Sequence, residues 1–137
     1  LAAAMSDIAH LSVPARDPKE QFVASSLQFS VVGMEHERIA CFIEACACLG
    51  LHVKWFGAEA AAGFTSVWAH WQFIGEAQQL HNAARVLGGL CDLRLPLRLS
   101  RDDCQAIADT LRAAMAQTLA QTLPQALARD TPPSNIA

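Results

Sequence analysis

Lysine is scarce in this chain: there are only two, Lys19 and Lys54, and the formal net charge is -3. Proteins that bind the phosphate backbone of nucleic acids normally carry several clustered cations. We therefore expect no nucleic-acid partner. The apolar stretches are also too short to cross a bilayer, so no membrane partner is expected.

The sequence also lacks the short motifs that mark common catalytic sites. It contains no Gly-x-Ser-x-Gly nucleophile motif, no Gly-x-Gly-x-x-Gly or Walker phosphate loop, and no His-Glu-x-x-His zinc motif. The adjacent carboxylates Asp102 and Asp103 are explained by helix capping. We therefore predict no catalytic residue and no metal ligand in this chain, and a small stand-alone enzyme is the last of the interpretations.

Disulfide bonds are not expected, because the five cysteines are an odd number and several lie in apolar periodic stretches. Cys46 and Cys48 are two residues apart on a predicted helix, so their thiols point to nearly opposite sides and cannot share a metal ion. Reduced, buried thiols are typical of a cytoplasmic protein.

The 137 residues, of which 53% are apolar and 17% charged, suit one globular domain. Residues 1–25 are weakly patterned and are predicted to form an N-terminal extension, with room for a short strand at residues 10–13. Residues 26–123 are predicted to form an α+β domain, and residues 124–137 a flexible tail. Because Leu1 is not an initiator methionine, we expect either a remnant ahead of Met5 or a piece of a longer protein.

The clearest pattern is a β-α-β unit over residues 26–56. A period-two alternation predicts the first strand, an apolar stripe at three- and four-residue spacing predicts the helix, and a second alternation predicts the next strand. Gly50 stands where a helix commonly ends. The helix is long enough for a right-handed crossover between parallel strands. The apolar positions are Leu27, Phe29 and Val31, then Ile39, Phe42, Ile43, Cys46 and Leu49, then Leu51, Val53 and Trp55.

The second half adds a helix that ends at Gly88-Gly89, a short strand over residues 91–95, and a long amphipathic helix that ends near Pro124. Ser100 and Asp103 have the spacing of a capping box at the start of that last helix. The predicted fold is a two-layer α+β sandwich, in which a small mixed sheet carries helices on one face.

The aromatic residues concentrate between positions 54 and 73, which hold all three tryptophans. Aromatic side chains bring a large contact area at low entropic cost. Residues 63–74 follow neither a helix period nor a strand period. They are predicted to lie in the core, in a cleft or at an interface, and the sequence does not distinguish among these three locations.

Several strings resemble the C-terminal small domain of fold-type I aminotransferases that depend on pyridoxal phosphate, with the DegT-type branch, which includes sugar aminotransferases, as the closest likeness. In that family a Leu-Pro-Leu strand leads into a capped final helix near the end of the chain. The strings are Val53-Lys-Trp-Phe-Gly57, Gly63-Phe-Thr-Ser66 with Trp71 downstream, and Cys91-Asp-Leu-Arg-Leu-Pro-Leu97 followed by residues 100–112.

The resemblance implies a domain that closes over a cleft supplied by the large domain of the same polypeptide, in a cytoplasmic homodimer. The lysine that holds pyridoxal phosphate and the carboxylate that pairs with its ring nitrogen belong to the large domain, so this chain alone is expected to bind no cofactor. The candidates for the substrate side of the cleft are Lys54, Thr65, Ser66, His70 and Trp71.

Position 67 is a valine, whereas a carboxylate-binding loop would be better served by a charged residue at that position. The alternative interpretation is a self-standing α+β module that starts at Met5 and serves ligand binding or dimerisation.

Overall fold

The computed structural model describes residues 1–23, 25–60 and 80–121. These residues form four helices and four strands. In chain order the elements are α1 (Ala2–Met5), β1 (Leu11–Ser12), β2 (Ser26–Val31), α2 (His36–Cys48), β3 (Lys54–Trp55), α3 (His81–Gly89), β4 (Leu90–Arg94) and α4 (Arg101–Ala120).

The four strands form one sheet in the order β1-β2-β4-β3, and the α+β class is confirmed. Each of the three strand pairs is antiparallel, which corrects the expectation of a mixed sheet. The reason is that β4 lies between the two strands of the predicted β-α-β unit. Since β2 and β3 both run antiparallel to β4, they are parallel to each other, as predicted, but are not neighbours. The unit is therefore a split β-α-β, with its crossover helix α2 spanning one intervening strand.

The core lies between one face of the sheet and the helices α2 and α4. Alternate residues of β2 point into it, as the period-two pattern predicted, and β4 meets them in register, with Leu27 opposite Leu93 and Phe29 opposite Cys91. Phe42 of α2 and Leu111 of α4 are fully buried against this layer. The remaining buried apolar residues are Met5, Ile8, Val31, Ile39, Ala45, Cys46, Val53, Ala108, Ala114 and Met115.

The two long helices are also tied together by a polar contact at the end of α4. Arg38 of α2 donates hydrogen bonds to the carbonyl oxygens of Thr118, at 2.7 Å, and Gln121, at 3.0 Å. The last carbonyl groups of a helix have no partner within the helix, and a cation there is favourable. Arg38 therefore fixes the end of α4, which the sequence placed at Pro124 and the structure places at Ala120.

The first twelve residues are built into the domain, although the sequence indicated only an extension with a short strand. That strand is present as β1, which pairs with the edge of β2. Met5 and Ile8 are buried in the core. Arg112 of α4 donates a hydrogen bond to the Asp7 carboxylate at 2.8 Å, and this contact lowers the pKa of Asp7.

Candidate functional site

The sheet has a second face, opposite α2 and α4, which we call the outer face. Its residues follow from the register: Gln28, Asp92 and Lys54 form one row across β2, β4 and β3, and Ser26 and Arg94 begin the next row. These positions alternate with the core residues, because successive side chains of a strand point to opposite sides. The outer face therefore carries polar and charged groups where the core face carries apolar ones.

Asp92 is the unusual member of this row, because it is only 5% exposed although it lies on the polar face. A buried carboxylate is costly unless a hydrogen bond or an opposite charge compensates it. Arg94, two residues along the same strand, brings its Nε to 3.6 Å from Asp92 Oδ2. The central strand thus presents a carboxylate and a guanidinium side by side on the outer face.

Lys54 is the one predicted substrate-side residue that the described part of the chain contains, and it lies on edge strand β3, half-buried. Its Nζ is 4.9 Å from the centre of the Phe56 ring, a cation–π distance. Lys54 is directly opposite Asp92 in the register. The ammonium group thus lies on the outer face, where it can meet an anionic or polar group.

Trp55 lies on the other side of β3, packed against the core. Its indole N–H donates a 2.7 Å hydrogen bond to the carbonyl of Gly88. His36, at the start of α2, packs against the indole with ring centres 4.6 Å apart and ring planes tilted by 45°, and His36 Nε2 lies 4.0 Å from the Glu59 carboxylate. Trp55 therefore holds β3, α2 and the end of α3 together, which is a structural role.

The other four predicted substrate-side residues, Thr65, Ser66, His70 and Trp71, lie outside the described residues. The question whether residues 63–74 are core, cleft or interface lies outside them too, as does the predicted tail over residues 124–137. The described part of the site is therefore the outer face around Lys54.

Two of the five cysteines, Cys46 and Cys91, lie deep in the core, and burial makes their thiols poor nucleophiles. Burial raises the pKa of Cys46 to about 12. Burial, together with the neighbouring Cys46 thiol, raises the pKa of Cys91 to about 12. Because the thiolate is the reactive form, neither cysteine is suited to nucleophilic chemistry at neutral pH.

In the described ranges, histidine, cysteine and carboxylate side chains make no group of three that could hold a metal ion. None of the described helices combines the length and the apolar character that a membrane span needs.

Pyridoxal phosphate, which the resemblance implies, does not fit the outer face around Lys54. Its attachment requires a lysine free to react, whereas the Lys54 ammonium group stacks over Phe56 on a sheet strand. Its ring nitrogen requires a carboxylate partner, whereas Asp92 is already paired with Arg94. Through Lys54 and Arg94, the outer face can orient polar groups by charge and hydrogen bonding.

Comparisons with known proteins do not assign the chain to a family. No protein-family model, curated protein or solved structure matches it. The functional argument therefore rests on the sequence and on the geometry of the fold.

Sequence reasoning missed the burial of Asp92. The alternation in residues 91–95 correctly placed Asp92 and Arg94 on the face opposite Cys91 and Leu93. A polar residue on that face is expected to be exposed. The spacing of two residues between opposite charges on one strand was the available signal, since it puts the two side chains on the same face.

Proposed function

We propose that this chain is the small C-terminal domain of an aminotransferase-like protein that depends on pyridoxal phosphate. It closes over a substrate and cofactor cleft that a large domain of the same polypeptide supplies, in a cytoplasmic homodimer. The large domain would hold pyridoxal phosphate, and the cofactor would supply an electron sink for chemistry at the substrate carbon there. This domain contributes closure and orientation, and it does not catalyse the reaction alone.

The observation that carries the proposal is the arrangement of the last strand and the last helix. Central strand β4 ends at Arg94, the Leu95-Pro96-Leu97 segment follows outside the strand, and the chain then enters α4 through a complete capping box. The Ser100 hydroxyl accepts a hydrogen bond from the Asp103 N–H at 3.0 Å, and the Asp103 carboxylate accepts one from the Ser100 N–H at 2.9 Å. The resemblance depends on a Leu-Pro-Leu strand followed by a capped helix; the capped helix is present, whereas the Leu-Pro-Leu segment lies just after the end of β4.

The distribution of layers supports the same proposal. Helices α2 and α4 fill the core face, whereas the outer face carries Lys54, Asp92 and Arg94. We assign Lys54 and Arg94, which are half-buried and exposed respectively, to the side that faces the cleft, where they orient a polar substrate.

The test is to determine the coding sequence upstream of Leu1. The proposal expects the reading frame to continue into a large domain that contains a lysine for the cofactor. A frame that starts at Met5 would contradict it.

A second candidate, a self-standing α+β module for ligand binding or dimerisation, is favoured by the burial of Met5 and Ile8. These residues extend the core of the described part of the chain next to α4. Monodisperse 137-residue protein that unfolds cooperatively, together with a reading frame that starts at Met5, would support this candidate.

A further inference from the structure

A cleft of about 410 Å³ lies at one end of the core, away from the outer face. It is bounded by the N-terminal segment, by the loop between β4 and α4, and by the first turns of α4. Its walls are mainly apolar and include Leu27, Leu95 and Leu99. This volume lies in the range of sites that hold small ligands.

One charged side chain, that of Arg16, contributes to the lining. Its guanidinium carbon lies 3.3 Å from the centre of the Phe22 ring, so the group lies over an aromatic face that also borders the cleft. Stacking holds a guanidinium in place while its N–H groups point outward in the ring plane, where they can bind a carboxylate through two hydrogen bonds.

The internal partner of Arg16 is weak. Its Nη1 is 3.6 Å from the Glu20 carboxylate, and both side chains are substantially exposed, at 37% and 50%. Exposed pairs of this kind contribute little, because water and salt screen them. A carboxylate at the mouth of the cleft can therefore compete with Glu20 for the guanidinium.

We propose that this cleft binds a small aliphatic carboxylic acid, with the hydrocarbon chain against the leucine walls and the carboxylate on Arg16. Apolar walls with one placed cation favour an anion with an apolar body over a neutral or cationic molecule of the same length. The cleft lies at the end of the core and is formed by residues of this chain, Leu1 and Ala2 among them, and the outer face takes no part in it.

Cys104 lines the cleft and is half-buried, so its thiol reports occupancy. Cys48 is exposed at the end of α2 and provides an internal reference, and buried Cys46 provides a check that the chain remains folded. The experiment measures iodoacetamide alkylation at each cysteine of the 137-residue chain by peptide mass spectrometry, with octanoate, octylammonium or octanol present.

Octanoate at about ten times its dissociation constant is expected to slow Cys104 alkylation by about tenfold, because only the small fraction of protein with an empty cleft leaves the Cys104 thiol accessible. Cys48 alkylation is expected to be unchanged. Octylammonium and octanol at the same concentration are expected to protect Cys104 much less. Equal protection by octanoate and octylammonium, or no protection by octanoate, would overturn the proposal.

Substitution of the cation provides the matched test. Arg16→Gln is expected to weaken octanoate binding by about tenfold or more, as the loss of a charge-assisted hydrogen bond implies. Arg98→Gln removes an exposed arginine from the loop that borders the cleft and is expected to leave binding unchanged. Unreactive Cys46 in both variants shows that they remain folded, and equal octanoate affinity in the two would also contradict the proposal.

Discussion

At the scale of single residues, two adjacent glycines at the end of α3 have opposite surroundings. A Cβ atom on Gly89 would lie 2.6 Å from the carbonyl oxygen of Val31, closer than real side chains approach a backbone. A Cβ atom on Gly88 would meet nothing within 4 Å. The tight passage of α3 past β2 therefore requires glycine at position 89 and not at position 88.

Gly89→Ala is expected to destabilise the chain by about 1–3 kcal/mol, because backbone must move to admit the methyl group. Gly88→Ala is expected to stabilise it by about 0.4–1 kcal/mol, since alanine lowers the entropy of the unfolded chain at a helical position. Urea denaturation of the two variants and the parent checks both signs. Equal effects of the two substitutions would mean that α3 does not pass β2 as described.

At the scale of elements, α4 depends on its first turn. The Ser100 N–H and the Ser100 hydroxyl both donate hydrogen bonds to the Asp103 carboxylate, and these bonds lower the pKa of Asp103. A carboxyl group with a lowered pKa in the folded state stabilises the fold above its ordinary pKa, and this contribution is lost as the pH falls. The capping box is therefore a pH-sensitive part of the stability of α4.

Ser100→Ala is expected to cost about 1 kcal/mol of unfolding free energy, as the loss of an N-cap does elsewhere. Asp103→Asn is expected to destabilise the chain at about pH 7, with the difference from the parent shrinking below about pH 4. Asp102→Asn is the control, because Asp102 lies in the same turn and takes no part in the capping box. Urea denaturation across this pH range would contradict the account if Asp103→Asn cost as much at about pH 3 as at about pH 7.

The elements themselves were largely predictable, because each depends on local patterns. The alternation from Leu27 to Val31 lies within β2, and Gly50, with its φ of 83°, follows α2 as predicted. Strand β3 is shorter than its alternation indicated, since only Lys54 and Trp55 pair with β4. An edge strand has one neighbour, and alternation alone does not say how far that neighbour extends.

At the scale of the whole molecule, the sequence left strand order open, and the insertion of β4 between β2 and β3 could not be read from it. The position of β4 in the sheet depends on how the chain returns to the sheet after β3. Because β4 lies between β2 and β3, the sheet is antiparallel where a mixed sheet was expected. Of the substrate-side candidates, only Lys54 has a described position. The burial of Asp92 depends on tertiary surroundings that a period-two pattern does not contain.

The N-terminal residues provide a test of the fold at this scale. Met5→Ala is expected to reduce the unfolding free energy by about 2–5 kcal/mol, because Met5 is fully buried against α4 and the substitution leaves a cavity. Val23→Ala, at a position that is 87% exposed, is expected to change it by less than about 0.5 kcal/mol. Thermal or urea unfolding compares the two variants, and equal stabilities would show that residues 1–12 lie outside the cooperative unit.

The central claim is that this domain helps to form a cleft while the cofactor is held elsewhere in the polypeptide. The most direct measurement is borohydride reduction of the complete polypeptide with pyridoxal phosphate, followed by peptide mass spectrometry to locate the modified lysine. The account expects modification of a lysine that precedes Leu1, with Lys19 and Lys54, the two lysines of this chain, unmodified. Modification of Lys54, or no uptake of pyridoxal phosphate by the complete polypeptide, would contradict it.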